Sequence, residues 1–168
     1  MFTRSLVRSS ATIVAVFAAL SVVMSGPASA HHLSNHIKER RHIEDRARSA
    51  KGTPYRYGGT SRGGFDCSGF TRWTFMEHGA SLPHSSMEQF NMGRRHGYKR
   101  IWKRSRLHPG DLVFFKTTSA RVGHAGIYVG GGKFISSTSS RGVKVDSMRD
   151  SYWGPRYVGA TRVPATQA

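Results

Sequence analysis

The second half of the chain is written in short apolar runs set between glycine and polar residues. Leu112 to Phe115, His124 to Val129, Lys133 to Ser136, Val143 to Val145 and Tyr157 to Val163 read as β-strands. Gly130-Gly131-Gly132 suits a hairpin turn between the second and third of these. The first half follows a helical pattern. Ile43, Ala47 and Ala50 carry a weak helical spacing in an otherwise polar, basic segment, so residues 31–50 read as a disordered start and a short helix ended by Gly52. A second helix should run from Asp66, a good N-cap, to His78, with Gly79 as its stop. A third begins after Pro83, where Ser85 and Glu88 have capping-box spacing, and ends near Met92. Helices first and an antiparallel sheet second predict an α+β domain.

Two segments fall outside this pattern. Tyr55 to Phe65 (YRYGGTSRGGF) holds four glycines and no period, which predicts an irregular loop whose backbone approaches another part of the chain closely. Arg94 to Arg106 is a basic stretch in which Tyr98 and Trp102 are interleaved with cations.

At the N-terminus, Arg4 and Arg8 precede an apolar run from Ala11 to Met24 and a small-x-small ending at Ala30. This is the three-part layout of a cleaved export signal over residues 1–30, with a mature start at His31 and a periplasmic or secreted destination. The run is short against the roughly 20 residues that span a bilayer. What remains of the 168 residues is one domain, a polar basic segment over 31–50 followed by a folded unit over 51–165.

Charge narrows the partners. The whole chain has 26 Lys and Arg against 9 Asp and Glu. A polyanion, an anionic polymer or membrane surface, is the expected partner, met by Arg94, Arg95, Lys99 and Arg100 in the basic stretch. A nucleic-acid binder would carry similar charge and bind with steep salt dependence, but it would leave the chemistry of Cys67 and His124 unexplained.

Cys67 is the single cysteine, so no internal disulfide can form. It sits at a predicted helix start, where free N–H groups favour a thiolate, although Asp66 beside it opposes that charge. An imidazole is therefore wanted, and His124 opens a predicted strand. With period 2, Ala125, Ile127 and Val129 face the core while His124, Gly126 and Tyr128 share the other face, which places His124 toward the helix or a cleft. In a Cys-His pair a third group holds the ring through its other nitrogen. Ser136 is the candidate: if the hairpin is centred on Gly130, residues 124 and 136 lie opposite each other. No His, Cys, Asp or Glu cluster has metal-ligand spacing, so no metal and no cofactor are expected.

Three ordered motifs, GTPYRYGGTSRGGFDCSGF, LHPGDLVFF and GHAGIYVGGGKFISS, closely resemble the NlpC family of bacterial cell-wall cysteine endopeptidases over about residues 51–163. The resemblance implies a reduced papain-like fold, with N-terminal helices packed on a small antiparallel sheet. It also implies that Cys67 is the nucleophile, His124 the base and Tyr55 a donor to the tetrahedral oxyanion. Family members cut peptidoglycan stem peptides, commonly between the γ-carboxyl of D-glutamate and diaminopimelate or lysine, or cut cross-links. The chain departs from the family at the third catalytic position, usually histidine and here Ser136. These readings make it an exported peptidoglycan endopeptidase acting as a monomer. The alternative is a weakly catalytic or non-catalytic basic wall-binding protein of the same fold.

Overall fold

The computed structural model describes residues 27–164 apart from His96. The apolar run expected to direct export lies outside the described residues. Among the described residues no helix is long and apolar enough to cross a membrane.

Among the described residues, three helices precede the main sheet. Helix α1 (Pro27–Ser49) is one continuous helix of 23 residues, longer than the short helix that the spacing predicts. Pro27 occupies its first turn, where a missing N–H costs nothing, and neither glycine nor proline recurs before Gly52. Its buried stripe is Ile43 and Ala47, continued by Ala50 just past its end. Arg46 docks the helix: its guanidinium lies 3.8 Å from the Trp73 ring centroid, its Nε donates to Trp73 O at 3.1 Å, and it pairs with Glu77. Helix α2 (Cys67–Met76) is capped by Asp66, whose side chain accepts from Gly69 N. Helix α3 (Ser86–Met92) is capped by Ser85, which accepts from Glu88 N. Buried Gln89 ties α3 to α2, donating to Ser68 O at 3.0 Å and accepting from Thr71 Oγ1 at 2.7 Å.

The glycine-rich loop contains a two-stranded ribbon, β1 (Thr60–Ser61) with β2 (Gly64–Phe65). Its backbone lies directly on α2: a Cβ on Gly69 would collide with Gly59 O. That is the close approach its glycines predict.

The main sheet has six strands: β3 (Lys99–Ile101), β4 (Leu112–Phe115), β5 (His124–Tyr128), β6 (Lys133–Thr138), β7 (Gly142–Ser147) and β8 (Tyr157–Arg162). They lie antiparallel in the order β3-β8-β4-β5-β6-β7. Strand β3 falls within the basic stretch and escapes sequence reading because of its three residues only Ile101 is buried, which leaves no apolar alternation to see. Both faces of the sheet are covered. Ala125, Ile127, Ile135, Leu112 and Phe114 pack with the helices. Phe115, Phe134, Val113, Met148 and Trp153 form a second cluster on the other side. Double burial explains why all four residues of β4 are buried instead of alternating.

The β5–β6 hairpin differs in register from the expectation. Ile127 pairs with Ile135 and Tyr128 with Phe134, so the turn is centred on Gly131, not Gly130. Gly130, Gly131 and Gly132 all have positive φ (83°, 60° and 73°), a conformation open to glycine at no steric cost and beyond what apolar spacing can count.

Candidate active site

Cys67 occupies the first turn of α2 and opens onto a cleft of about 610 Å³ that is also lined by Tyr55, His124, Trp153, Arg141 and Asp146. Burial pushes the Cys67 thiol above its ordinary range. The N–H groups of Ala125, Ser68 and Cys67 itself oppose that rise, and the Asp66 charge adds to it. Asp66 is fully occupied. Its Oδ1 accepts from Gly69 N at 2.6 Å and Ser68 Oγ at 3.0 Å, while its Oδ2 accepts from Gly58 N at 3.0 Å and lies 2.8 Å from His84 Nε2. One carboxylate thus caps the helix, pins the glycine-rich loop and holds the start of the segment that leads into α3. His84 in this role has no motif spacing that would reveal it.

His124 is 8% exposed and packs beside Phe115 and Trp153 of the second cluster. Burial pushes its imidazole down to about 4, so it is a neutral base at physiological pH. Its Nε2 lies 2.9 Å from Ser136 Oγ, which leaves Nδ1 as the nitrogen free for proton transfer. Trp153 stacks on the ring, with centroids 4.8 Å apart at 30°. Sequence reading missed Trp153 because it lies in the turns between β7 and β8, 29 positions beyond the histidine, with no periodicity around it.

The Ser136 contact is not a pairing of opposite residues. Projected along the observed register, Ser136 falls beside Gly126, and His124 reaches it diagonally. Gly126 makes the reach possible: a Cβ there would lie 2.7 Å from the Phe134 ring, 2.9 Å from Ile135 O and 3.0 Å from Ser136 Cβ. Any side chain at residue 126 would crowd the strand that carries Ser136.

Tyr55 joins the site from the glycine-rich loop, bridged to Phe65. Burial first, then the Cys67 and Asp66 charges, push its phenol pKa up, so the hydroxyl remains a donor. The described residues record no hydrogen bond between thiol and imidazole. Thiol and imidazole are both neutral, and catalytic hydrogen bonds often tighten only with substrate in place.

The rest of the cleft wall carries both signs of charge. Lys144 Nζ pairs with Asp146 Oδ1 at 2.6 Å, and the second Asp146 oxygen is buried without a partner. Arg141 and Asp150 line the same wall and are exposed. The four basic residues expected to meet an anionic polymer are elsewhere and do not line this cleft. Arg94, Arg95 and Lys99 are exposed. Arg100 instead folds inward, its guanidinium 3.5 Å from the Phe90 ring centroid and donating to Phe90 O.

The profile of the NlpC/P60 family matches residues 52–162, which takes in every element from the glycine-rich loop to β8. The chain belongs to the NlpC/P60 family. The murein DD-endopeptidase MepS/murein LD-carboxypeptidase of Escherichia coli (strain K12) is 40% identical over 133 residues, covering 79% of this chain and 67% of that protein. The probable peptidoglycan endopeptidase LytE of Bacillus subtilis (strain 168) is 41% identical over 116 residues, covering 69% of this chain but 32% of that one. Among solved structures, the NlpC/P60 domain of the peptidoglycan hydrolase SagA superposes with a TM-score of 0.62 at 29% identity, covering 74% of this chain and 98% of that one. An NlpC/P60 family protein of Bacillus cereus ATCC 10987 has a TM-score of 0.65 at 31% identity, covering 73% of this chain and 39% of that one. This NlpC/P60 domain therefore has the α+β architecture that its sequence predicts.

Proposed function

We propose that this NlpC/P60 protein is an exported cysteine endopeptidase that hydrolyses amide bonds in peptidoglycan stem peptides or cross-links. The observation that carries the reading is one cleft holding a half-buried thiol at a helix start, a neutral imidazole oriented through Nε2, and a protonated phenol.

The chemistry runs from that neutral state. As Cys67 Sγ attacks the substrate carbonyl, its proton passes to His124 Nδ1, and the carbonyl oxygen becomes an oxyanion that accepts from Cys67 N–H and Tyr55 OH. The imidazolium, held by Ser136 and stacked on Trp153, gives its proton to the leaving amine as the C–N bond breaks. Water, deprotonated by the same ring, then attacks the thioester, releases the acid product and restores the thiol.

A wall carrying Arg141 and Lys144 together with Asp146 and Asp150 suits an extended peptide bearing carboxylates and an ammonium. The γ-D-glutamyl-diaminopimelate linkage is such a peptide. Export by the signal over residues 1–30 would place the enzyme with this substrate. Arg94, Arg95 and Lys99 give it a basic surface outside the catalytic cleft, where anionic wall polymer would gather.

Digestion of purified peptidoglycan, followed by mass analysis of the released fragments, tests the reading. New termini between glutamate and diaminopimelate are expected. Cys67→Ala should remove at least about 10³-fold of the rate, roughly 4 kcal/mol of barrier, in a protein that still folds. Normal hydrolysis by folded Cys67→Ala would end the cysteine mechanism.

A further inference from the structure

The basic stretch does not form one solvated loop. Strand β3 and the 3-10 turn Arg104–Arg106 fold part of it around a second cavity of about 250 Å³, lined by Lys99, Arg100, Lys103, Arg106, Arg162 and the exposed ring of Trp102. No residue is shared with the catalytic cleft. We propose that this cavity is a binding site for a phosphate group.

Three observations converge on an anion. The wall holds five cations and no carboxylate. Among the described residues, Lys99, Arg100, Lys103 and Arg106 have no acidic partner, while Arg162 is bound to buried Asp111 at 2.8 Å. The sheet register sets Lys99 directly across from Arg162, which brings two cations together at one side of the cavity.

An edge strand often carries lysine to prevent edge-to-edge pairing, and β3 is an edge. That accounts for Lys99 alone. It does not account for Lys103 or Arg106, which lie beyond the strand; Arg162, held by Asp111, donates to the backbone Arg106 O at 3.1 Å and ties that turn to β8. Cations held around one concavity suit a ligand with charge spread over several oxygens, which a phosphate provides and a single carboxylate does not. Trp102 at the rim, 55% exposed, would lie against whatever carries the phosphate.

The phosphate could belong to a lipid headgroup or to a soluble ester, and two arms of one experiment separate these. Binding of the purified protein to inorganic pyrophosphate and glycerol 3-phosphate is measured by calorimetry, and binding to phosphatidylglycerol or phosphatidylcholine vesicles by co-sedimentation, at physiological salt. Lys103→Gln with Arg106→Gln is compared with a charge-matched control on α1, Lys38→Gln with Arg41→Gln. All four side chains are exposed, and an unchanged melting temperature verifies the fold. The site variant should lose about 10-fold or more in affinity while the control keeps parental binding. Loss confined to the vesicle arm assigns the site to a lipid phosphate, and loss in the soluble arm to a free ester. Equal loss in site and control variants, or no binding in either arm, overturns the proposal. A protein without peptidase activity would still bind, so the outcome is independent of the endopeptidase reading.

Discussion

His124 and Ser136 are joined by 2.9 Å between Nε2 and Oγ, although neither is the other's partner in the strand register. The contact runs diagonally across a glycine, and Ser136 is fully buried. A hydroxyl there brings no charge to the imidazolium that forms during catalysis, only a hydrogen bond and a fixed ring. Ser136→Ala should therefore lower kcat/KM by about 10-fold, near 1.4 kcal/mol, while alkylation of Cys67 continues close to the parental rate. Unchanged turnover in folded Ser136→Ala would leave a Cys67-His124 dyad without this orienter.

Gly126 is the position on which that diagonal depends. A methyl group there meets the Phe134 ring, the Ile135 carbonyl and Ser136 Cβ at 3.0 Å or less, and two of these belong to structure that cannot swing aside. Gly126→Ala should cost about 1–3 kcal/mol in a urea titration, by overpacking between β5 and β6. It should also reduce activity beyond the loss in Ser136→Ala, because ring and hydroxyl are displaced together. Parental stability and activity would show that the hairpin yields freely.

Trp153 should act on the ring more than on substrate. Trp153→Phe keeps a buried aromatic beside Phe115 and Phe134 but reduces the surface stacked on His124. A fall of roughly 0.5–1.5 kcal/mol in transition-state stabilisation is expected, read as kcat with KM unchanged. A lower melting temperature with parental kcat would make Trp153 a packing residue only.

Acid should destabilise the fold through His124. Its imidazole has a pKa of about 4 in the folded state against 6.5 as its ordinary value. Between those values the unfolded chain binds the proton and the folded chain does not, so stability is lost as pH falls from about 6.5 toward 4. Urea unfolding at pH 7 and pH 4.5 should differ by about 2–3 kcal/mol from this group. His78 and His108, also pushed down by burial, add in the same direction. His124→Gln isolates the contribution, since its share of the pH dependence should vanish while the other two remain. For the same reason kcat/KM should hold its plateau to about pH 5 before an acid limb sets in.

Local signals were enough for the elements and for the chemistry each could offer. Asp66 and Ser85 are caps whose hydrogen bonds close within three residues, and β4 is an uninterrupted apolar run, so both are legible without the rest of the chain. Cys67 at a helix start and His124 at a strand start are legible for the same reason. What tertiary structure alone decided is which groups meet. The hairpin turns on Gly131 because three glycines accept positive φ equally, and apolar spacing cannot choose among them. Trp153 reaches His124 because a second cluster covers the sheet's other face, and Arg162 joins Lys99 because β8 returns between β3 and β4. Those contacts span tens of residues and depend on strand order and register, which are settled by packing the two faces together and leave no periodicity in the sequence.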